Sequence, residues 1–209
     1  MLDLFNKVLQ AQYIHTTEDG DYAISVDDTT IYLLFQWSHS HMDWVSNFDF
    51  PIKAYKNGND KWRVHRGFLR VWKAMRDEIE KKVAMIMQTV TVKEIVCAGY
   101  SHGAAIALLA TEDMAYLYGV SRVRGYGFGC PRVVWGKIPD AVKDRLQNFH
   151  AIRNIPDLVT HLPPVLFGYR HVNLTRIGKT GTYRPIQAHY PKSYQAELAE
   201  KKPTIMHEG

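Results

Sequence analysis

Gly99-Tyr100-Ser101-His102-Gly103 sets one serine between two glycines. The residues before it, Lys93 to Gly99, are short, β-branched and apolar, as in a buried strand. The residues after it, from Ala104 to Ala115, are helix formers without glycine or proline. Ser101 therefore stands at a strand-to-helix corner. A hydroxyl there meets the N-terminal N–H groups and positive dipole end of the helix. The small flanking residues let strand and helix pass closely, as a sharp nucleophile-bearing turn needs. The bland reading is a glycine-rich turn with an ordinary serine, and the bare G-x-S-x-G pattern does not exclude it.

A serine hydroxyl is a poor nucleophile at neutral pH and needs a base, which in turn needs an orienting acid. In this kind of corner the chain order is Ser, then Asp or Glu, then His. Asp157 fits the acid, because it follows the strand-like run Asn148–Asn154 and precedes "LVTHLPP", near the carboxyl edge where sites form. Asp140 and Asp144 fall in a helix-like run. The chain has ten histidines, and His161, His171, His189 and His207 follow Asp157. His189, in "IQAHYPKSY" before a terminal helix, can reach across a sheet edge. Spacing alone leaves the base open.

The elements that must hold these groups alternate. A short N-terminal helix and a hairpin over Asp21–Trp37 come first, then a long amphipathic helix over Gly67–Gln88 whose apolar positions step by three and four. The strand, the Ser101 corner and its helix follow, with Gly119 as the stop. Next come a strand over Arg122–Gly129, a helix over Trp135–Leu146, a strand over Asn148–Asn154, an edge strand in "RHVNLTRIG" and a helix beginning at Pro191. This order predicts an α/β fold, a mainly parallel central sheet with helices on both faces.

Composition narrows the classes further. The 209 residues are 46% hydrophobic and 22% charged, which fits one α/β unit with a sizeable core over residues 1–209. Apolar runs stay short of a membrane span. The opening "MLDLFNKVLQAQYIH" does not resemble a secretory signal, so a cytoplasmic location is expected. Cys97 and Cys130 make neither a disulfide framework nor a metal cluster, and read as buried thiols. The net charge is +5, and the stretch from Lys53 to Arg76 carries eight Lys or Arg against Asp60 alone, with aromatics between them. A patch for nucleic acid or anionic membrane is conceivable; a solvated face with core aromatics is favoured, since no nucleic-acid motif accompanies it.

Taken together, these pieces resemble the class 3 lipase family, the α/β-hydrolases typified by fungal triacylglycerol lipases. "IYLLFQWSHSHMDWVSNFDF" is similar to the family's strand ending in Phe-Arg-Gly-Ser/Thr with a Trp-containing segment after it. "VHRGFLRVW", "GYGFGCPRVVW", "RNIPDLVTHLPP", "FGYRHVNL" and "AHYPKSY" resemble further family stretches in the family's order, over roughly Ile31 to Tyr194. The resemblance implies Ser101 as nucleophile, Asp157 as acid and His189 as base, with His171 on a non-catalytic histidine. It implies an oxyanion hole from the backbone N–H groups of His102 and Ser38. The family's Arg-Gly is Gln36-Trp37 here, which changes the oxyanion loop and brings an aromatic wall to the acyl site. Trp37, Trp44 and Tyr100 are the expected substrate-contacting aromatics. Residues 39–50 match the lid segment.

The implied function is a serine carboxylic ester hydrolase, a lipase or esterase, working through an acyl-enzyme without metal or cofactor. The expected partner is a small ester or lipid substrate, with a lipid interface beside it and no nucleic acid. Phospholipase A1, thioesterase or amide hydrolysis by the same triad is the nearest alternative. A non-catalytic lipid- or nucleic-acid-binding relative is the alternative from another class.

Overall fold

The computed structural model describes residues 1–16, 20–37 and 50–200. In chain order the elements are α1 (Leu2–Gln10), β1 (Ile14–His15), β2 (Gly20–Asp27), β3 (Thr30–Trp37), β4 (Ile52–Asn57), β5 (Asp60–His65) and α2 (Arg66–Thr89). They continue with β6 (Glu94–Tyr100), α3 (His102–Tyr118), β7 (Val123–Phe128), β8 (Val134–Trp135) and α4 (Asp140–Leu146). The last are β9 (Phe149–Asn154), β10 (Tyr169–Arg170), β11 (Leu174–Ile177) and α5 (Pro191–Glu200).

Seven strands form the central sheet in the order β1-β2-β3-β6-β7-β9-β11. β1, β2 and β3 pair antiparallel, and every pair from β3 to β11 is parallel. Alternation along each strand sends neighbouring residues to opposite faces. Leu33, Phe35 and Cys97 pack in the layer built by α2, α3 and α4. Leu34 and Ala98 pack in the other, with Phe5 and Val8 of α1 and Tyr194 and Leu198 of α5. The chain is therefore a doubly covered, mainly parallel α/β sheet, as its alternating elements predict. α3 is apolar around almost its whole circumference because it is buried on nearly every side, from His102 to Ala115. Gly119 ends it at φ 90°.

A second sheet of four strands, β10-β8-β5-β4, was not foreseen. Its hairpin turns at Asn57-Gly58-Asn59-Asp60, with Gly58 at φ 54°. Tyr55 and Trp62 face inward from it, and a buried polar cluster bolts it to α2 and α3. Asp113 accepts hydrogen bonds from Tyr55 Oη, from Asn57 Nδ2 and, at 2.6 Å, from Trp72 Nε1. Glu112 accepts from Asn57 Nδ2 and, at 2.6 Å, from Arg145 Nε. Burial raises the Glu112 carboxyl to about 7 against the lowering pull of Arg145.

The helix expected over Trp135–Leu146 is shorter. Val134–Trp135 is strand, paired to both β5 and β10, and the helix begins only at Asp140. Gly136 at φ 67° and Pro139 break the run. Cys97 and Cys130 are free and buried, and burial raises both thiols, Cys97 to about 12. The lid-like segment 39–50 lies outside the described residues except for Phe50.

Candidate active site

The corner after β6 is built as its sequence suggests. Ser101 has φ 56° and ψ −121°, a conformation that costs of order 1–3 kcal/mol for a non-glycine residue. Its N–H donates to Phe128 O at 2.8 Å, tying the turn to β7. A Cβ on Gly99 would strike the Gly103 carbonyl, and one on Gly103 would strike the Phe35 carbonyl of β3. Both obstacles are backbone and cannot swing away, so the two glycines are steric necessities.

Three chain-distant groups converge there. Ser101 Oγ lies 2.8 Å from His189 Nε2, and His189 Nδ1 lies 2.8 Å from Asp157 Oδ2. With Asp157 ionised, Nδ1 carries the imidazole proton and Nε2 is left to accept the serine hydroxyl. Asp157 is fully buried in the turn that follows β9. Its Oδ1 accepts the Val159 N–H at 2.9 Å, and its Oδ2 accepts the Tyr194 hydroxyl at 2.6 Å. Burial raises the Tyr194 phenol well above its usual value, which keeps it protonated and donating. The same hydroxyl accepts the Asn154 N–H at 3.0 Å.

His189 closes a 3₁₀ turn over Gln187–His189. Asn154 Nδ2 donates to Ala188 O at 3.1 Å, and Ser193 Oγ to Gln187 O at 2.7 Å, fixing that turn to β9 and α5. Tyr100 is one of the aromatics expected to contact substrate. It is buried, its ring stacks on the imidazole at 5.2 Å and its hydroxyl donates to His189 O. It braces the His189 ring, because the extended β6 backbone turns its side chain into the α1–α5 layer.

His102 is also buried, with its ring edge-on to Phe68 at 5.1 Å. Burial first, and His65 second, lower its pKa to about 3, so it stays neutral. Its backbone N–H opens α3, where the first N–H groups have no intrahelical acceptor. His171 Nε2 contacts Thr160 O at 2.7 Å, and burial lowers it to about 4. His161 lies in the 3₁₀ turn Val159–His161, and its carbonyl accepts from Arg132. Asp140 pairs with Lys143 at 2.6 Å on the surface, and Asp144 is exposed. Ser38, Trp44 and His207 lie outside the described residues; of Trp37 only the backbone pairing to Gly20 is described. Asn154 and the hydroxyl of Tyr194 were missed as site residues. The signal available for Tyr194 was its place in "AHYPKSY", just beyond the candidate base.

Exposed apolar side chains flank both loops that carry the acid and the base. Leu158 follows Asp157, and Ile186 and Tyr190 bracket the His189 turn. The 3₁₀ turn Val165–Phe167 adds three more.

A parallel sheet carrying a strained serine corner, with a buried acid and a histidine from later loops, defines an α/β-hydrolase with a Ser–His–Asp arrangement. Comparison with known proteins makes this specific. The family model for lipase (class 3) matches residues 32–167, and the chain belongs to that family. Secreted mono- and diacylglycerol lipase A of Penicillium cyclopium is 28% identical over 158 residues, covering 76% of this chain and 51% of the relative. Secreted mono- and diacylglycerol lipase 1 of Fusarium solani is 30% identical over 136 residues, covering 63% and 38%. A solved triacylglycerol lipase, in which a serine protease triad forms the catalytic centre, superposes with a TM-score of 0.68 at 26% identity, covering 81% of this chain and 65% of that one. The chain thus spans about half, or less, of the length of these curated relatives. Their names overturn the expected cytoplasmic location, because both are secreted proteins. The opening residues carried no information on this point: they form α1, a packed part of the fold with Phe5 and Val8 buried.

Proposed function

We propose that the chain is a serine carboxylic ester hydrolase of the lipase or esterase type, acting on acylglycerol esters. The observation that carries this reading is the unbroken hydrogen-bonded run from Ser101 Oγ through His189 to Asp157, with 2.8 Å at each step. The mono- and diacylglycerol lipase names of the relatives support the substrate class.

Ser101 Oγ attacks the ester carbonyl carbon while His189 Nε2 takes its proton. The backbone N–H groups of His102 and Ser38 receive the oxyanion, the contribution expected to be largest. Collapse breaks the bond to the alcohol, which leaves with the proton from Nε2, and an acyl group remains on Ser101. Water then attacks that ester, His189 takes its proton, and the acid departs as Ser101 regains a hydrogen. Asp157 holds the tautomer and stabilises the imidazolium in both halves.

Hydrolysis of p-nitrophenyl esters from acetate to palmitate, with Ser101→Ala beside the wild type, tests the reading. Activity that falls at least about 10⁴-fold in the variant supports it. A folded wild type inert on every ester removes it.

A further inference from the structure

The triad leaves the basic stretch from Lys53 to Arg76 unexplained, and the fold arranges part of it. Across the β4–β5 hairpin Lys56 stands directly opposite Lys61. Arg63 stands opposite Ala54 on one side and Trp135 on the other. Alternation puts Lys56, Lys61 and Arg63 on one outward face, with Tyr55 and Trp62 on the inward one. All three cations are exposed. Like charges directly opposed across a strand pair are destabilising. The one acid in the two strands, Asp60, shares the inward parity of Trp62 and is engaged by Arg145 at 3.0 Å. The face therefore holds a repulsion that packing does not require.

The cationic face continues into an apolar one. The Arg63 guanidinium sits over the Trp135 ring at 5.0 Å. Trp135 Nε1 donates to Phe167 O at 2.7 Å, which pins the Val165–Phe167 turn beside it. Leu166 at the tip of that turn is 92% exposed. Exposed Lys and Arg, an indole and a protruding apolar turn are the makings of a surface that lies on lipid, its tip entering the headgroup boundary and its cations meeting anionic headgroups. Nucleic acid would use the charges but has no use for Leu166.

We propose that the outward face of β4 and β5, with Trp135 and the Val165–Phe167 turn, docks the protein on anionic lipid surfaces, so that the interface is selected by charge. The docking does not depend on the hydrolase reading. Cosedimentation with phosphatidylcholine vesicles, with and without phosphatidylglycerol, tests it, using Ser101→Ala so that lipid is not consumed. Binding is expected on the anionic vesicles and weakens with salt. Each cation near an anionic surface accounts for about fivefold, so K56Q/K61Q/R63Q should bind roughly 100-fold more weakly. Lys56→Gln alone should melt no lower than its parent, because it removes the Lys56–Lys61 repulsion and leaves Arg63 over Trp135. Leu166→Asp should weaken binding on its own. Equal binding to both kinds of vesicle, or unchanged binding by the triple variant, overturns the proposal. So does tight binding of a DNA duplex that the triple variant loses while its vesicle binding stays. Vesicle binding without any ester hydrolysis by the wild type would remove the hydrolase reading and leave the docking standing.

Discussion

Replacing Tyr194 with phenylalanine removes one oxygen and leaves the ring in place. That oxygen serves two buried groups, donating to Asp157 Oδ2 at 2.6 Å and accepting from the Asn154 N–H at 3.0 Å. A hydrogen bond to a charged group contributes about 1.5–3 kcal/mol, and a buried N–H left without a partner costs about 1–3 kcal/mol. The variant should lose about 3 kcal/mol of stability, which lowers Tm by roughly 10 °C in a chain of this size. The Asp157 carboxylate then keeps only Val159 N–H and His189 as partners among the described hydrogen bonds. If about 1.4 kcal/mol of the lost contact is felt when the imidazolium forms, kcat falls about tenfold. The hydroxyl points at the acid and away from the serine, so KM should hold. Steady-state kinetics on p-nitrophenyl butyrate and urea unfolding read both quantities. A rise in KM at constant kcat, or kcat and stability both unmoved, would refute the claim that Tyr194 acts by holding Asp157.

Other expectations follow from the same geometry. Gly103→Ala forces a methyl against the Phe35 carbonyl, so it should lower stability by more than about 2 kcal/mol and cut activity sharply, measured by thermal unfolding and ester turnover. Asn57→Ala leaves Glu112 and Asp113 facing each other without their shared donor; a loss of about 3 kcal/mol is expected in urea, and a loss under 1 would show the cluster is not a bolt. His102 is held near 3, while a histidine in the unfolded chain titrates near 6.5. Protons are then taken up by the unfolded state first as pH falls below 6.5, so this stability is present above 6.5 and is lost toward 3. Between pH 7 and 5 the loss due to His102 is about 2 kcal/mol. His102→Leu should shrink the fall in urea stability over that interval by this amount, and an equal fall in both proteins would contradict it.

The central sheet was legible because each of its main strands is a short apolar run between glycine- or polar-rich turns. Ser101 was legible for a steric reason, since only glycine fits at positions 99 and 103. Asp157 followed from its place past β9. His189 was different: residue types left four histidines open, and only the ordered resemblance separated them. The second sheet went unread because lysine and arginine at positions 53, 56, 61 and 63 break up its two short strands, so charge hid the alternation of Tyr55, Trp62 and Val64. The turn Asn57-Gly58 was the available hairpin signal. The contact of Tyr100 with the His189 ring was not legible, because strand parity, not proximity to Ser101, decides which layer its ring enters.

The triad is assembled from parts made at very different times. Ser101 and His189 are 88 residues apart, and Gln195 of α5 bonds to Asn6 of α1 across 189 residues. Phe5 packs against both Tyr100 and Tyr194, the side chains that brace the base and the acid. At about 5–20 residues per second of synthesis, the serine corner leaves the ribosome of order ten seconds before the histidine does. A nascent chain therefore carries Ser101 through that interval without its His189 partner. The contact between α1 and α5 can form only after α5 has been made, and it closes the layer in which Tyr100 stacks on the imidazole.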